Sequence, residues 1–556
     1  LNVENSEDDE IIGQVINEIS FIKNELMDIN SFSSEVLTKE DMKHTYSMYE
    51  EYKNNINKID FDDMLINTYF LVKENKTILE KIRSIYKYIL IDEFQDINKV
   101  QFEVIKLISG PNNNIFVVGD EDQSIYGFRG SRPDFLLNFE KYFENTTKIF
   151  LDINYRSKRE IVEISNKLIK QNKNRFEKTI KCSNENGADF KYLDCEDSED
   201  EAKKIADDIL NKIKNSDYNY TDFSIIYRTN VQSRALVDIF LEKRIPFVMK
   251  DSIITIYDHW ASQDILAYLN LSININSNKD FLRIINKPFR YISKDTLNEV
   301  KESSNIFNSL INNFDLHKRQ IETLKDLMTD LEYIKNLSPK DAISYIRTTL
   351  DYDKYILDYC INRKIKTTSL IETLNEIESS SSNFKTIYDY LEHIENVKKE
   401  LVNSKKNNVT DGVIFTTMHS SKGLEFNNVY VIGCNEGTIP HEKSYEIEDD
   451  DLKIEQIEEE RRLMYVSITR AKENLYLSSL KYKHGKRVFT SRFINEIKEP
   501  TKKDIDKIKV GDKIYHKTFK EGKVIEHSEG TLKIKFKDKI RELNSKICLL
   551  KEIIKK

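Results

Sequence analysis

Two short apolar runs, each ending next to acidic residues, constrain the fold of this chain more than any other feature. The first run, 86–91, is followed by Asp92 and Glu93, and the second, 115–118, comes just before Asp120. A stretch with helical spacing separates the two runs. Strand, helix, strand is the order of a parallel α/β sheet, which binds ligands at the carboxyl ends of its strands. The sequence therefore predicts a ligand site at these acids.

The same alternation returns further along the chain, so more than one sheet is expected. Strands are predicted by further apolar runs at 148–151, 223–227, 413–416, 429–432 and 475–477. Helical spacing dominates instead over 2–85 and over about 250–407. After a charged linker at 499–504, short alternating runs such as 533–537 are divided by glycines, which is typical of a small β-barrel.

Composition excludes some classes of protein. With 556 residues, 39% of them hydrophobic and 32% charged, the chain is long enough for several globular domains. It has no apolar run near the roughly 18 residues needed to span a membrane. Its five cysteines are widely separated, which favours a reducing cytoplasm over a disulfide framework or a zinc site. The net charge of −8 means that any nucleic acid must bind to a local basic groove.

The acids at the strand ends have the chemistry that phosphoryl transfer requires. One carboxylate can hold Mg²⁺ while its neighbour orients the attacking water. Acid pairs are usually solvated surface groups, but this pair is followed by a second acidic segment. Asp120 follows Asp92 by 28 residues and opens a second polar segment, 119–130, directly after the next apolar run.

These segments carry a family resemblance. DEFQD at 92–96 and GDEDQSIYGFRGS at 119–131 resemble the second and third motifs of the UvrD/Rep/PcrA helicases of superfamily one. Further matches follow in the family's order: NYRS at 154–157, TTMHSSKGLEF at 416–426 and EERRLMYVSITRA at 459–471. The ordered set is highly specific and covers essentially the whole chain.

The resemblance implies an α/β fold with two RecA-like parallel-sheet domains, helical insertions and a small C-terminal SH3/Tudor-like β-barrel. It predicts a 1B-like helical subdomain at 1–85 and the rest of the first RecA-like domain at 86–152. The second RecA-like domain would comprise 153–250 and 408–498, with a 2B-like helical insertion at 251–407 between its two parts. A linker and the barrel would follow at 499–556.

The resemblance also implies an ATP and Mg²⁺ site. Asp92 would hold Mg²⁺ and Glu93 would polarise the hydrolytic water. Gln123 would sense the terminal phosphate, a role that suits an amide because it can donate and accept hydrogen bonds. Arg156 and Arg470 would neutralise charge on the phosphate, and Tyr155 would stack on adenine. Glu425 would bind the ribose, and Gly423, two residues before it, is also expected at the nucleotide.

For DNA, the resemblance points to aromatic faces for unstacked bases and to basic residues near the phosphate backbone. Tyr126 and Phe128 are the expected aromatic residues, and the expected neighbours of the phosphates are Arg129, His419 and Arg492. The family usually has Trp where this chain has Phe128. The alternative is that these aromatic residues belong to the core, because each lies beside an apolar strand.

Other clusters favour ordinary structural roles. The acids at 60–63 are predicted to begin a helix rather than to bind a metal, and the acidic run 446–451 is predicted to be a solvated loop. The segment 509–524 resembles the Tudor-like tail of PcrA-type members, which contacts partner proteins such as RNA polymerase. We therefore expect RNA polymerase or a repair protein as a partner, although the lysines of the tail leave nucleic acid open.

The phosphate-binding loop GxxxxGK[ST] does not occur in the sequence. Since the family has this loop before its first helical insertion and the chain opens at Leu1, we expect the sequence to begin after the loop. The implied function is an ATP-dependent helicase or translocase, moving 3′ to 5′ on single-stranded DNA and unwinding duplex in repair or replication. The alternative is a non-catalytic scaffold, derived from a helicase, that binds DNA or RNA polymerase.

Overall fold

The computed structural model describes residues 9–184, 187–251, 255–301, 303, 305–313, 316–363, 367–406, 411–498, 508–516, 519–528, 530–537, 539–545 and 554–555. The start of the predicted first helix, the linker at 499–504 and Cys548 lie outside these residues. The helices are α1 Asp9–Asn24, α2 Lys39–Asn55, α3 Phe61–Glu74, α4 Lys76–Ile85, α5 Lys99–Ser109, α6 Asp134–Leu137, α7 Phe139–Tyr142, α8 Arg159–Ile169, α9 Ser198–Asn215, α10 Arg234–Glu242, α11 Trp260–Ile273, α12 Asn278–Ile284, α13 Lys294–Val300, α14 Ile306–Asn313, α15 Lys318–Ile334, α16 Pro339–Thr348, α17 Tyr352–Arg363, α18 Thr368–Ser380, α19 Ile387–Lys406, α20 Asp450–Ile468 and α21 Arg492–Lys498.

The strands are two to ten residues long. They are β1 Ile89–Ile91, β2 Ile115–Val117, β3 Ile153–Asn154, β4 Lys181–Cys182, β5 Phe190–Cys195, β6 Phe223–Tyr227, β7 Phe247–Met249, β8 Val413–Thr417, β9 Phe426–Val431, β10 Ala471–Leu480, β11 Tyr482–Lys483, β12 Lys486–Arg487, β13 Lys513–His516, β14 Lys520–Ser528, β15 Thr531–Phe536, β16 Ile540–Asn544 and β17 Ile554–Lys555.

The chain forms two compact units. The first unit comprises 1–148, 198–420 and 484–486, and the second comprises 149–197, 421–483 and 487–556. In the first unit β1 pairs with β2, and β8 lies between β6 and β7, all in parallel. In the second unit β10 lies between β5 and β9, again in parallel. The expected mixed α/β class with parallel pairing is confirmed, while the predicted domain boundaries stay predictions.

Most predicted strands are present, but one prediction was wrong. The runs near 89, 115, 223, 413, 429 and 475 correspond to β1, β2, β6, β8, β9 and β10. Residues 148–151 form no strand, and Ile149 and Leu151 are 76% and 83% exposed. The strand begins later, at Ile153, where it pairs in parallel with β4. An apolar, β-branched run favours extended backbone, yet it becomes a strand only where another strand supplies hydrogen bonds.

The region from 250 to 407 is helical throughout its described part, as predicted. The helix α11 is buried on nearly every side, with Ile265, Tyr268 and Leu269 fully covered. Such an all-round apolar helix is typical of the centre of a helical bundle. Within the described ranges, no helix combines the length and apolar character that crossing a membrane would require.

Aromatic packing fixes the segment that carries the strand-end acids. Phe94 is fully buried and lies edge-on to Phe102 of α5 and to Phe139 of α7, with ring centroids 6.4 and 5.5 Å apart. Phe102 in turn stacks on Phe135 of α6 at 4.1 Å. Because buried aromatic side chains contribute large apolar areas, this cluster holds the residues on either side of Phe94 in one position.

A buried ion cluster joins the first three helices. The side chain of Lys23, on α1, is 2% exposed and binds Glu50, Asp60 and Asp63 at 2.8, 3.0 and 2.7 Å. Lys53 binds the same three carboxylates. Asp60 caps α3 through a reciprocal capping box with Asp63, which confirms the predicted helix start. These carboxylates are therefore already paired with two ammonium groups, an arrangement that is structural rather than metal-binding.

We expect Lys23→Met to destabilise the first unit by about 3 kcal/mol, because removing one partner of a buried ion cluster leaves carboxylates without their counter-charge. Burial alone would raise the pKa of Asp60, but the hydrogen bond from Lys53 and its other partners hold that pKa well below the usual value. A carboxyl group with a lowered folded pKa stabilises the fold above its unfolded pKa, so stability should fall as pH drops below about 4.

Urea unfolding of the wild type, Lys23→Met and Lys39→Met measures this effect. Lys39→Met is the control, because Lys39 is an exposed lysine at the start of α2. Equal stabilities of the two variants would contradict a structural role for the cluster. A difference that stays constant from pH 7 down to about pH 2 would contradict the electrostatic cause.

The C-terminal segment forms a separate antiparallel sheet. Its strand order is β16, β15, β14, β13 and β17. Val524, Leu532 and Ile534 are fully buried in its core, together with Phe536. Gly522 lies against this core, where an added Cβ would come within 2.7 Å of Ile534 and Phe536, so the close approach requires glycine. The predicted alternating strands are present, and the closed Tudor-like barrel stays a prediction.

Candidate functional site

The predicted acids lie at the carboxyl end of β1, as the sequence indicated. Asp92 and Glu93 directly follow the strand, and both side chains are exposed. The Oδ1 atom of Asp92 accepts a hydrogen bond from the backbone N–H of Glu93 at 2.9 Å. Exposed carboxylates at a strand end are the oxygen ligands that Mg²⁺ uses in phosphate sites, so the residues present fit the implied ion.

The backbone at Glu93 is in the left-handed region, with φ 51° and ψ 40°. A non-glycine residue seldom adopts this conformation, which costs about 1–3 kcal/mol and is found preferentially at functional sites. The turn is maintained by its surroundings, because Phe94 is buried and its N–H donates to the carbonyl of Val118 at 2.9 Å. The carboxylate of Glu93 is thereby placed beside the end of β2.

The third-motif segment brings Gln123 to the same strand ends. Residues Glu121–Gln123 form one turn of 3₁₀ helix, capped by the side chain of Asp120. The Nε2 atom of Gln123 donates to Oδ2 of Asp120 at 2.7 Å, and the Asp120 N–H donates to Oε1 of Gln95 at 3.0 Å. The structure therefore connects Asp92, Glu93 and Gln123 through two intervening residues.

Four of the five residues expected to bind DNA form one cluster in the first unit. The ring of Phe128 is 6.2 Å from Tyr126 and 5.5 Å from His419, edge-on to both. The guanidinium of Arg129 lies 5.4 Å from the Phe128 ring centroid. Phe128 is 60% exposed, so the alternative that it is a core residue is wrong. Tyr126 is half-buried, and burial together with Asp96 raises its pKa.

In the second unit, Arg156 and Glu425 come together from motifs far apart in sequence. Nε of Arg156 donates to Oε1 of Glu425 at 2.5 Å, and Lys472 binds the other carboxylate oxygen at 3.0 Å. Burial would raise the pKa of Glu425, but the hydrogen bond from Lys472 and the charge of Arg156 keep that pKa below its usual value. Arg156 and Glu425 thus lie within reach of one ligand, and Glu425 is already paired with two cations.

Arg470 is held more deeply than Arg156. It is 2% exposed, and its guanidinium donates to the carbonyl oxygens of Val466 and Leu424 at 2.9 and 3.2 Å. A third bond, to Oγ1 of Thr469, is 3.1 Å long. The guanidinium is therefore held by its own segment and by Leu424, and the same segment contains the carbonyl of Thr469 that accepts from Arg156.

The remaining predicted residues of this unit are accessible but separate. Tyr155 is 71% exposed, as a residue that stacks on a base would be. Gly423 has a φ of 80°, which favours glycine, and an added Cβ would meet no atom within 4 Å. Arg492 is paired with Glu436 at 2.8 Å, and this hydrogen bond raises its pKa. The structure therefore gives Arg492 a carboxylate partner where the sequence suggested DNA phosphate.

Some residues at the site had no role in the sequence prediction. Gln95 lies inside DEFQD, but the motif itself does not say where a buried amide points. Lys472 directly follows the last motif and binds Glu425. Asp251 accepts from the N–H of Thr417 at 2.7 Å and also binds Ser420, so it holds the loop that carries His419. Asp251 lies 166 residues from Thr417, and no local pattern reveals such a contact.

Comparison with known proteins identifies the family. Residues 3–144 match the UvrD/REP helicase N-terminal domain, and residues 149–482 match the UvrD-like helicase C-terminal domain. The chain is 33% identical over 491 residues to the putative ATP-dependent DNA helicase YjcD of Bacillus subtilis, covering 87% of this chain and 63% of that protein. The chain therefore belongs to the UvrD-like helicase family.

Further relatives carry names of the same kind. The chain is 32% identical over 521 residues to the ATP-dependent DNA helicase Rep of Buchnera aphidicola, with coverage of 88% of this chain and 77% of Rep. It is 30% identical over 570 residues to the ATP-dependent DNA helicase PcrA of Staphylococcus epidermidis, with coverage of 92% and 76%. These names agree with the UvrD/Rep/PcrA type that the motifs indicated.

Proposed function

We propose that this protein is an ATP-dependent DNA helicase that moves 3′ to 5′ along single-stranded DNA and unwinds duplex in DNA repair or replication. One observation carries the proposal beyond family membership. Segment 119–130 holds Gln123 beside the strand-end acids and, a few residues later, presents the exposed ring of Phe128. A phosphate-sensing residue and a base-stacking residue on one short segment can couple ATP turnover to DNA contact.

The ATP site requires positive charge and a metal as well as the acids. Mg²⁺ at Asp92 would neutralise developing phosphate charge, and Arg156 and Arg470 would add two permanent charges. Glu93 would polarise the attacking water. Tyr155 lies one residue from Arg156, so its exposed ring is available to the adenine.

An ATP site also needs a backbone cradle for the phosphates. The sequence contains no GxxxxGK[ST], and its GK pairs, Gly485-Lys486 and Gly522-Lys523, have neither the upstream glycine nor the following Ser or Thr. We propose that the active protein contains this loop in an additional segment. Activity therefore has to be measured on the protein that contains this segment.

Strand separation on tailed duplexes tests the function. With ATP and Mg²⁺, we expect displacement of a strand from a duplex with a 3′ single-stranded tail and little displacement from a duplex with a 5′ tail. Displacement with only the 5′ tail would overturn the polarity. Single-stranded DNA binding without ATP-dependent displacement from either substrate would overturn the helicase function and favour the scaffold.

Replacing Phe128 by alanine should weaken single-stranded DNA binding by about 1–3 kcal/mol, the loss typical of one base stack. Phe116→Ala is the matched control, because Phe116 has the same exposed fraction of 60% but lies on β2. Fluorescence anisotropy with a labelled oligonucleotide measures both affinities. Equal affinities of the two variants would remove Phe128 from the DNA site.

The C-terminal sheet is proposed to bind a protein partner, with RNA polymerase or a repair protein as the expected kind. Support comes from its own buried core, which allows it to fold as a distinct element. Deleting residues 504–556 should leave unwinding largely intact and abolish binding to purified RNA polymerase or to the repair partner. An unwinding defect with unchanged partner binding would favour nucleic acid as the ligand of this sheet.

A further inference from the structure

A buried glutamine lies between the two strand ends that carry the proposed ATPase groups. Gln95 is fully buried, two residues after Glu93, in the 3₁₀ turn Phe94–Asp96. Its side-chain amide contacts residues of both motifs. The Nε2 atom donates to Oε2 of Glu93 at 2.5 Å, and the Oε1 atom accepts from the backbone N–H of Asp120 at 3.0 Å.

The orientation of this amide follows from its partners. A backbone N–H can only donate, so the group that faces Asp120 must be the amide oxygen. The NH₂ group is thereby turned toward Glu93, whose carboxylate can only accept when ionised. The carbonyl of Gln95 also accepts from Oγ of Ser124 at 3.2 Å, which fixes its backbone to the same segment.

The close approach of this amide depends on the residue before Asp120. At Gly119 an added Cβ would lie 2.7 Å from Oε1 of Gln95 and 3.1 Å from Leu136. Contacts that short require atoms to shift, and both neighbours are packed side chains. Gly119 therefore allows the third-motif segment to approach Gln95 closely enough for the hydrogen bond to Asp120.

The contacts form one continuous chain from the water-polarising residue to the phosphate-sensing residue. Gln95 connects Glu93 to Asp120, and Asp120 accepts from Gln123 at 2.7 Å. The side chain of Glu93 is exposed on a strained left-handed backbone, whereas Gln95 is fully buried. A general base works only when it lies within hydrogen-bond reach of the water it polarises.

We propose that Gln95 is a positioning residue for ATP hydrolysis. It holds the Glu93 carboxylate at a fixed place relative to Gln123, so that the group polarising water and the group sensing phosphate move together. This inference rests on the proposed helicase function. It predicts that loss of the Gln95 amide donor lowers the turnover of bound ATP rather than the binding of ATP or DNA.

The test compares Gln95→Glu with Gln101→Glu. Glutamate at 95 keeps the acceptor for Asp120 but replaces the donor to Glu93 with a second carboxylate. Gln101 lies six residues further on, in α5, where its Oε1 atom accepts from the N–H of Asn98, and glutamate preserves that bond. For Gln95→Glu we expect kcat to fall by about 10- to 100-fold, the range typical of removing a side chain that orients a ligand of a metal site. Its KM for ATP and its affinity for single-stranded DNA should stay within about threefold.

A charge swap separates positioning from simple packing. In Glu93→Gln/Gln95→Glu the amide at 93 can donate to the carboxylate at 95, so the thermal midpoint lost in Gln95→Glu should be regained while ATP turnover is not. A midpoint for the swap equal to or below that of Gln95→Glu would overturn the direct contact.

The ATPase assay also distinguishes the two proposals. Unchanged kcat in Gln95→Glu, with an active wild type, would overturn the role of Gln95 alone. Parallel losses of kcat, ATP binding and DNA binding would likewise overturn it, since a packing defect has that signature. Absence of ATP hydrolysis in the wild type and in Gln101→Glu would instead overturn the proposed function.

Discussion

Replacing Glu93 by glutamine is expected to reduce ATP turnover by at least about 10²- to 10⁴-fold, the contribution of a positioned general base. The amide keeps the shape of the carboxylate but loses the charge that attracts a proton. It also keeps an acceptor for Nε2 of Gln95, so the contact seen at 2.5 Å is retained. ATP binding should therefore stay within about threefold of the wild type.

The matched control for this variant is Glu103→Gln. Glu103 lies on α5 and pairs with Lys106 at 3.3 Å, so the same change of charge is made on the same segment. Steady-state hydrolysis and equilibrium binding of a fluorescent ATP analogue measure the two effects. Loss of nucleotide binding equal to the loss of turnover would contradict the role of Glu93 in polarising water.

Arg470→Ala is expected to lower turnover by about 10³- to 10⁵-fold, as removal of an arginine finger does. The structure adds a second consequence, because the guanidinium also binds the carbonyls of Val466 and Leu424. Some loss of stability is therefore expected, and thermal unfolding has to be measured beside hydrolysis. Arg470→Lys should also be defective, since an ammonium group cannot reproduce the planar fork.

Arg487→Ala serves as the control for Arg470, since Arg487 is an exposed arginine of β12. It should hydrolyse ATP at the wild-type rate. A loss of less than about tenfold in Arg470→Ala would remove this residue from the proposed ATP site. If the loss of turnover equals the fraction of unfolded protein, Arg470 stabilises its segment and has no direct role in hydrolysis.

Sequence patterns predicted those helices and strands whose structure depends on residues close to them in the sequence. The helix start at Asp60 follows from capping chemistry within four residues, and β6 follows from a continuous apolar run. The error at 148–151 has the opposite cause, because apolar residues there find no strand pairing and Leu151 stays exposed. The strand β5 was missed because the charged residues Lys191 and Asp194 interrupt its apolar pattern.

At the candidate site, the sequence indicated individual residues but not the contacts between residues that are far apart in the chain. The resemblance supplied Arg156 and Glu425 as separate residues, but their contact joins positions 269 residues apart. Arg492 and Glu425 were expected to meet a ligand, and the structure pairs both with protein charges. Such pairings depend on the folded arrangement of side chains, which spacing along one sequence does not specify.

We propose that the acids, the glutamine and the arginines of this chain serve a helicase ATPase together with a phosphate loop in a further segment. Steady-state ATP hydrolysis with saturating single-stranded DNA tests it, on the 556-residue chain and on the protein that also contains the loop. We predict background hydrolysis by the former, because arginines alone cannot replace the backbone N–H groups and the lysine that bind the triphosphate. We predict DNA-stimulated turnover of about 1 to 10³ per second by the latter. Several turnovers per second by the 556-residue chain, or none by the longer protein, would contradict this proposal.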